Sequence, residues 1–227
     1  MSTGNEIWTI TERWQNYLGE MRVNAFRLLA ILVFYSLHLL NYWNWLPGAE
    51  AADGVWQVAT RPTAEFHLQA TLIAVAWLLM SVAVHVMLIN RRFPRWLPLV
   101  AVAADVGLLT LVLCIASGPR SPLVVAYVII LAMTALRCDR RLLRIATWLA
   151  VVGYVIVLGR ARFPEWMPNQ SNGEVDLTIP RYAQLMFVAT LLLVGAILQQ
   201  LLDRIKRLAV DYSRRLTERS SESGTAR

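Results

Sequence analysis

One alternation runs through most of this chain: long apolar stretches, broken by arginine clusters and polar loops. A helix needs about 20 residues at 1.5 Å rise to cross a hydrocarbon core of about 30 Å. Stretches of that kind lie at Ala25–Leu46, His67–Ile89, Trp96–Ser117, Pro122–Leu136, Leu142–Leu158 and Tyr182–Leu202. Lipid offers no hydrogen bonds to backbone N–H and C=O groups, so a spanning segment must satisfy its own, as an α-helix does. The expected fold is therefore all-α, a bundle of six transmembrane helices over residues 25–202. An amphipathic segment, 1–24, precedes it. A cytoplasmic tail, 203–227, follows, helical at first and disordered after Thr217.

Composition agrees with that class. Hydrophobic residues make up 57% of the chain and charged residues only 16%, against roughly 25% in soluble domains. The net charge of +7 would raise the question of nucleic acid in a soluble protein, but here the basic residues punctuate apolar runs and report topology instead. With the N-terminus in the cytoplasm and every stretch crossing, Arg61, Arg120, Arg160, Arg162 and Arg181 face outward, and all other Lys and Arg residues face inward. That asymmetry is the positive-inside pattern. The Pro122–Leu136 stretch would cover only about 22 Å, and a re-entrant hairpin is its main rival. Were it not to cross, Arg137, Arg140, Arg141 and Arg144 would change sides and the asymmetry would fail. Of the two cysteines, Cys114 sits inside an apolar run and Cys138 in a cytoplasmic turn, so no disulfide is expected.

Ile7, Ile10, Trp14, Leu18 and Met21 follow three- and four-residue steps, the pattern of a helix lying in the headgroup layer. Ser121 is placed to cap the fourth helix, with Pro122 in its first turn, where no N–H is needed. At the other end Leu201, Ile205, Leu208 and Tyr212 carry an a/d stripe past the membrane edge, a candidate signal helix continuous with the sixth span.

Polar groups inside a bilayer are costly and each raises a functional question. His38, counted from Arg27 as the inner edge, lies about 16 Å deep, and Asp105, counted from Trp96, about 13 Å. The two form a candidate intramembrane polar site for sensing or relaying a proton. The plainer alternative is a protonated Asp105 bonded to Thr110 or a neighbouring carbonyl, holding helices together. Haem ligation by His38 and His85 is disfavoured, because their depths differ by roughly 9 Å, and His67, at the outer edge, pairs with neither. No phosphate-binding Gly-x-x-x-x-Gly-Lys, His-Glu-x-x-His, Cys-x-x-Cys or Gly-x-Ser-x-Gly occurs. The expectation is no enzyme, no catalytic residue, no cofactor and no metal.

The stretch Asp105-Val-Gly-Leu-Leu-Thr110, the turn Ser117-Gly-Pro-Arg-Ser-Pro122, the Ala135-Leu-Arg137 step and Tyr154 in the next span together carry a resemblance. They are similar to the six-helix membrane input module that precedes catalytic domains in some bacterial sensor histidine kinases and nucleotide cyclases. The resemblance covers residues 25–210. It implies a non-enzymatic sensory or signal-transducing module in a bacterial cytoplasmic membrane, coupled through the tail to a cytoplasmic signalling protein or to a second copy. In that family an output domain follows such a tail, and within residues 203–227 none is expected. The other function classes are a small permease or proton-linked carrier built on His38 and Asp105, and a structural subunit of a membrane complex.

Overall fold

The computed structural model describes residues 3–43, 45, 64–90, 94, 96–116, 118–163 and 179–225, with side chains from Gly19 to Tyr212 within those ranges. Among them every element is helical. In chain order they are α1 (Thr3–Tyr42), α2 (Ala64–Ile89), α3 (Leu97–Ile115), two 3₁₀ turns at Gly118–Arg120 and Pro122–Val125, α4 (Ala126–Ala135), α5 (Arg140–Arg162) and α6 (Arg181–Thr225). Five helical stretches are long and apolar enough to cross a membrane: Gly19–Tyr42, Ala64–Ile89, Leu97–Ile115, Arg140–Arg162 and Arg181–Tyr212. The segment Pro122–Ala135 is apolar but shorter. These apolar helices are compatible with an integral membrane protein.

Two boundaries differ from the sequence expectation. Residues 3–24 are continuous with the first apolar stretch: α1 is one helix of 40 residues. The apolar face read at Ile7, Ile10, Trp14 and Leu18 lies outside the described side chains. Past Thr217, where composition predicts disorder, α6 stays helical to Thr225. The outer loops expected at 47–66 and 159–181 lie largely outside the described residues.

Local chemistry accounts for the turns. The Ser121 hydroxyl accepts the Leu123 N–H at 3.3 Å, and Pro122 opens the 3₁₀ turn that leads into α4. Gly118 takes φ +59, the left-handed region that favours glycine. Asp139 caps α5 by accepting the N–H groups of Arg141 at 2.8 Å and Leu142 at 3.3 Å. Cys138, just before that cap, also takes a positive φ of 55.

α5 is the hub of the bundle, packed against α3, α4 and α6. Its inward face, Leu142, Leu143, Ala146, Ala150, Tyr154 and Val157, is buried. Facing it are Leu109 and Leu113 of α3, Tyr127 and Leu131 of α4, and Leu191 of α6. Two glycines set how closely these helices approach. A Cβ on Gly153 would stand 2.5 Å from Thr110 Oγ1, and one on Gly195 would stand 2.5 Å from Thr147 Oγ1. Small residues at helix contacts let backbones approach in lipid, where apolar burial between helices gives no net drive. Large apolar side chains that point away, such as Leu32, Leu79, Trp148 and Leu193, are exposed on the periphery and suit a lipid surround.

Candidate functional site: a buried ion ladder on α1

Glu20, Asn24 and Arg27 fall at i, i+4 and i+7 on α1, one stripe of a helix. All three are buried, Arg27 with only 1% of its surface exposed. They meet Asp105 of α3, buried to 2%, and Trp77 and Ser81, one turn apart on α2.

The upper rung is a forked pair. Arg27 donates from Nε to Asp105 Oδ1 at 2.7 Å and from its terminal NH2 group to Oδ2 at 2.8 Å. Bidentate guanidinium–carboxylate contacts of this kind fix direction as well as charge. The Trp77 indole donates to the same Oδ1 at 2.8 Å. The other terminal nitrogen of Arg27 donates to Asn24 Oδ1 at 2.8 Å, and the Asn24 amide donates to the Ser81 carbonyl at 3.1 Å. Ser81 turns its hydroxyl back to the Trp77 carbonyl at 2.9 Å. The rung thus ties three helices together.

The lower rung sits about 10 Å along α1 at the helical rise. Arg137, in the turn between α4 and α5, approaches Glu20 Oε1 through Nε at 2.7 Å. That contact is an ion contact without hydrogen-bond alignment. The aligned bond is the one at 3.0 Å from the Arg137 NH2 group to Oε2. Its remaining terminal nitrogen donates to the Pro98 carbonyl at 3.3 Å. Burial pulls the Arg137 pKa below the usual arginine value, and the Glu20 charge pulls it back up. Beyond this rung Arg140, at the start of α5, pairs with Asp203 on α6.

The residues singled out from sequence are distributed differently from the expectation. Asp105 is buried at a helix contact, but its partners are Arg27 and Trp77. His38 is not brought to it. Instead His38 Nε2 lies 3.1 Å from His67 Nδ1, so His67 does have a partner. The reason is the origin of the depth count. Arg27 served as the inner edge, yet it is buried in the bundle, and the apolar stretch of α1 begins at Gly19. Shifting the origin moves His38 toward the far end of α1 and brings Arg27 to the level of Asp105. Thr110, offered as a partner for Asp105, donates to the Val106 carbonyl and bonds Tyr127 Oη at 2.8 Å.

Arg27, Trp77, Glu20 and Arg137 were missed. The usable signal was the Glu20, Asn24, Arg27 stripe, three polar residues on one face running into an apolar helix. Trp77 gave none, since a tryptophan in an apolar run reads as a lipid contact. On the tail, Leu201, Ile205, Leu208 and Tyr212 are all exposed, whereas Leu191 higher on the same helix is fully buried.

Comparison with protein-family models, with curated proteins and with solved structures found no match. The likeness to sensor input modules therefore rests on the residues that carry it.

Proposed function

We propose that the chain is a non-enzymatic, multi-pass protein of a bacterial cytoplasmic membrane, with six spans and both termini in the cytoplasm. In this reading it senses a stimulus at the bundle and passes movement to a cytoplasmic partner or to a second copy. The observation that carries the reading is α6. Its 45 residues extend about 68 Å at helical rise, more than twice the hydrocarbon core. The excess leaves the bundle past Asp203 with Ile205, Leu208 and Tyr212 exposed in a/d spacing. A carrier has no use for such a projection, and Asp105, closed in by Arg27 and Trp77, is poorly disposed to shuttle protons.

Six crossings are supported by the position of Arg137. It lies beside Pro98, in the first turn of α3, so the short segment 122–135 returns to the end where α3 begins. The charge asymmetry of the loops points the same way.

The test has two parts. Cysteines introduced by Asp53→Cys and Asn172→Cys should react with an impermeant thiol reagent from outside, while Asp139→Cys should stay protected. Labelling of Asp139→Cys from outside would remove the fourth crossing. Ile205→Pro should then abolish partner or self-association without affecting membrane insertion, because proline breaks the interior hydrogen bonding of the helix. Association that survives both Ile205→Pro and deletion of 203–227 would overturn the signalling role.

A further inference from the structure

Near the C-terminal end of α1, the two helices of the first hairpin are joined by a pair of imidazoles. His38 Nε2 and His67 Nδ1 stand 3.1 Å apart, a hydrogen-bond distance, with the rings within 18° of parallel. The pair is held from both sides. Tyr42 stacks on His67 with centroids 4.1 Å apart. Phe66 meets His38 edge-on at 5.6 Å. The His67 carbonyl accepts the Thr71 hydroxyl at 2.7 Å, and that hydroxyl bonds Tyr35 Oη at 3.1 Å. Both imidazoles are half-buried.

We propose that His38 and His67 form a proton-binding site that fastens α1 to α2 and releases them in acid. The inference deepens the sensory reading by naming a stimulus, and rests on that reading only for the downstream consequence.

The proton count drives it. With both rings neutral, one bridging nitrogen carries the hydrogen and the other accepts it. The first added proton goes to the far nitrogen of the donor ring. The bridge then becomes an imidazolium donating to a neutral imidazole, which is a stronger bond. The second added proton has only the accepting nitrogen left to occupy. Two N–H groups then face each other across 3.1 Å, and two like charges sit side by side. The bridge is therefore present with zero or one added proton and lost with two.

Among the described residues, the titratable or charged groups on the surrounding elements are few. On α1 they are Tyr35 and Tyr42, and on α2 the nearest is Glu65, exposed in the first turn. On α3, packed along α2, the half toward this end carries only Cys114. Among the described residues, the ring and hydrogen-bond contacts of the two imidazoles are to each other, Tyr35, Tyr42 and Phe66, and none is to a carboxylate.

The chain has three histidines, so His85→Asn leaves only the pair. In that background, ¹⁵N-histidine NMR of the full chain in lipid nanodiscs should show two separated, coupled protonation steps, each sensed by both rings. His38→Gln or His67→Asn keeps an amide nitrogen near the bridging position but cannot take up a proton, and each should collapse the titration to one step. Spin labels at Trp43→Cys and Leu68→Cys, with Cys114 and Cys138 replaced by serine, should separate across the acid step and stay fixed in His67→Asn. Independent one-step titrations, unaffected by loss of the neighbour, would overturn the site. So would a label distance that ignores the second step. Separation of the labels without any change in partner association would leave the proton site standing and count against the sensory reading instead.

Discussion

The two halves of the bundle are held by different forces. Around α5 the buried residues are mostly apolar, with Thr110, Thr134 and Thr147 among them, and they come chiefly from α3, α4, α5 and α6. Among the described side chains, α1 adds only Val23 to that core, and α2 adds no fully buried residue to it. What α1 buries besides Val23 is polar, Glu20, Asn24 and Arg27, while α2 buries Ser81 together with Ile73, Val84 and Leu88, the last two in a small apolar cluster with Leu97 of α3. In lipid this difference has a mechanical meaning. Apolar packing among helices gains little over packing against acyl chains, so it relies on close fit, as at Gly153 and Gly195. A buried ion pair is directional and switches between made and broken. The half around α5 is a scaffold, and α1 is a member fastened to it at discrete points.

The comparison breaks most visibly at Arg27. Arg27→Ala strands the Asp105 carboxylate in the bundle, and removing one partner of a buried pair costs about 3–5 kcal/mol. Unfolding in mixed micelles should show that loss, and mainly in detachment of α1. In the scaffold half, Gly153→Ala drives a methyl against Thr110 and Tyr127. Overpacking of this kind costs about 1–3 kcal/mol. It should lower thermal stability in detergent without altering the accessibility of α1. Trp77→Phe keeps the ring bulk and removes one donor to Asp105. A loss of about 1 kcal/mol, the scale of one interhelical bond in lipid, should appear as a small shift in the same unfolding curve. If Gly153→Ala frees α1 while Arg27→Ala does not, the division between the halves is wrong.

Much of the scaffold could be read from residue patterns. The Ser121–Pro122 turn, the apolar runs of α2, α3 and α5, and the continuity of α6 past the membrane edge all follow from local rules about caps, periodicity and length. The site was half legible. Asp105 stands out because an acid in an apolar run is expensive, but its partner does not. Arginine is the residue that marks membrane edges, so the sequence pattern makes Arg27 an edge, whereas it is a buried counter-ion. A depth counted from Arg27 therefore misplaces His38 and separates it from its neighbour His67, 29 residues further along the chain. Pairings between helices depend on rotation about each axis, which an apolar run with little polar contrast leaves unspecified.

A charge-exchange cycle between Arg27 and Asp105 tests the ion-fastened account of α1 most directly. Arg27→Asp puts two acids together, Asp105→Arg puts two bases together, and the double exchange restores opposite charges at the same contact. Stability against denaturant in micelles is measured for all four chains. The account predicts that each single exchange is severely destabilised and that the double exchange recovers a large part of the loss, a coupling of about 1–3 kcal/mol. Losses that simply add in the double variant would contradict it.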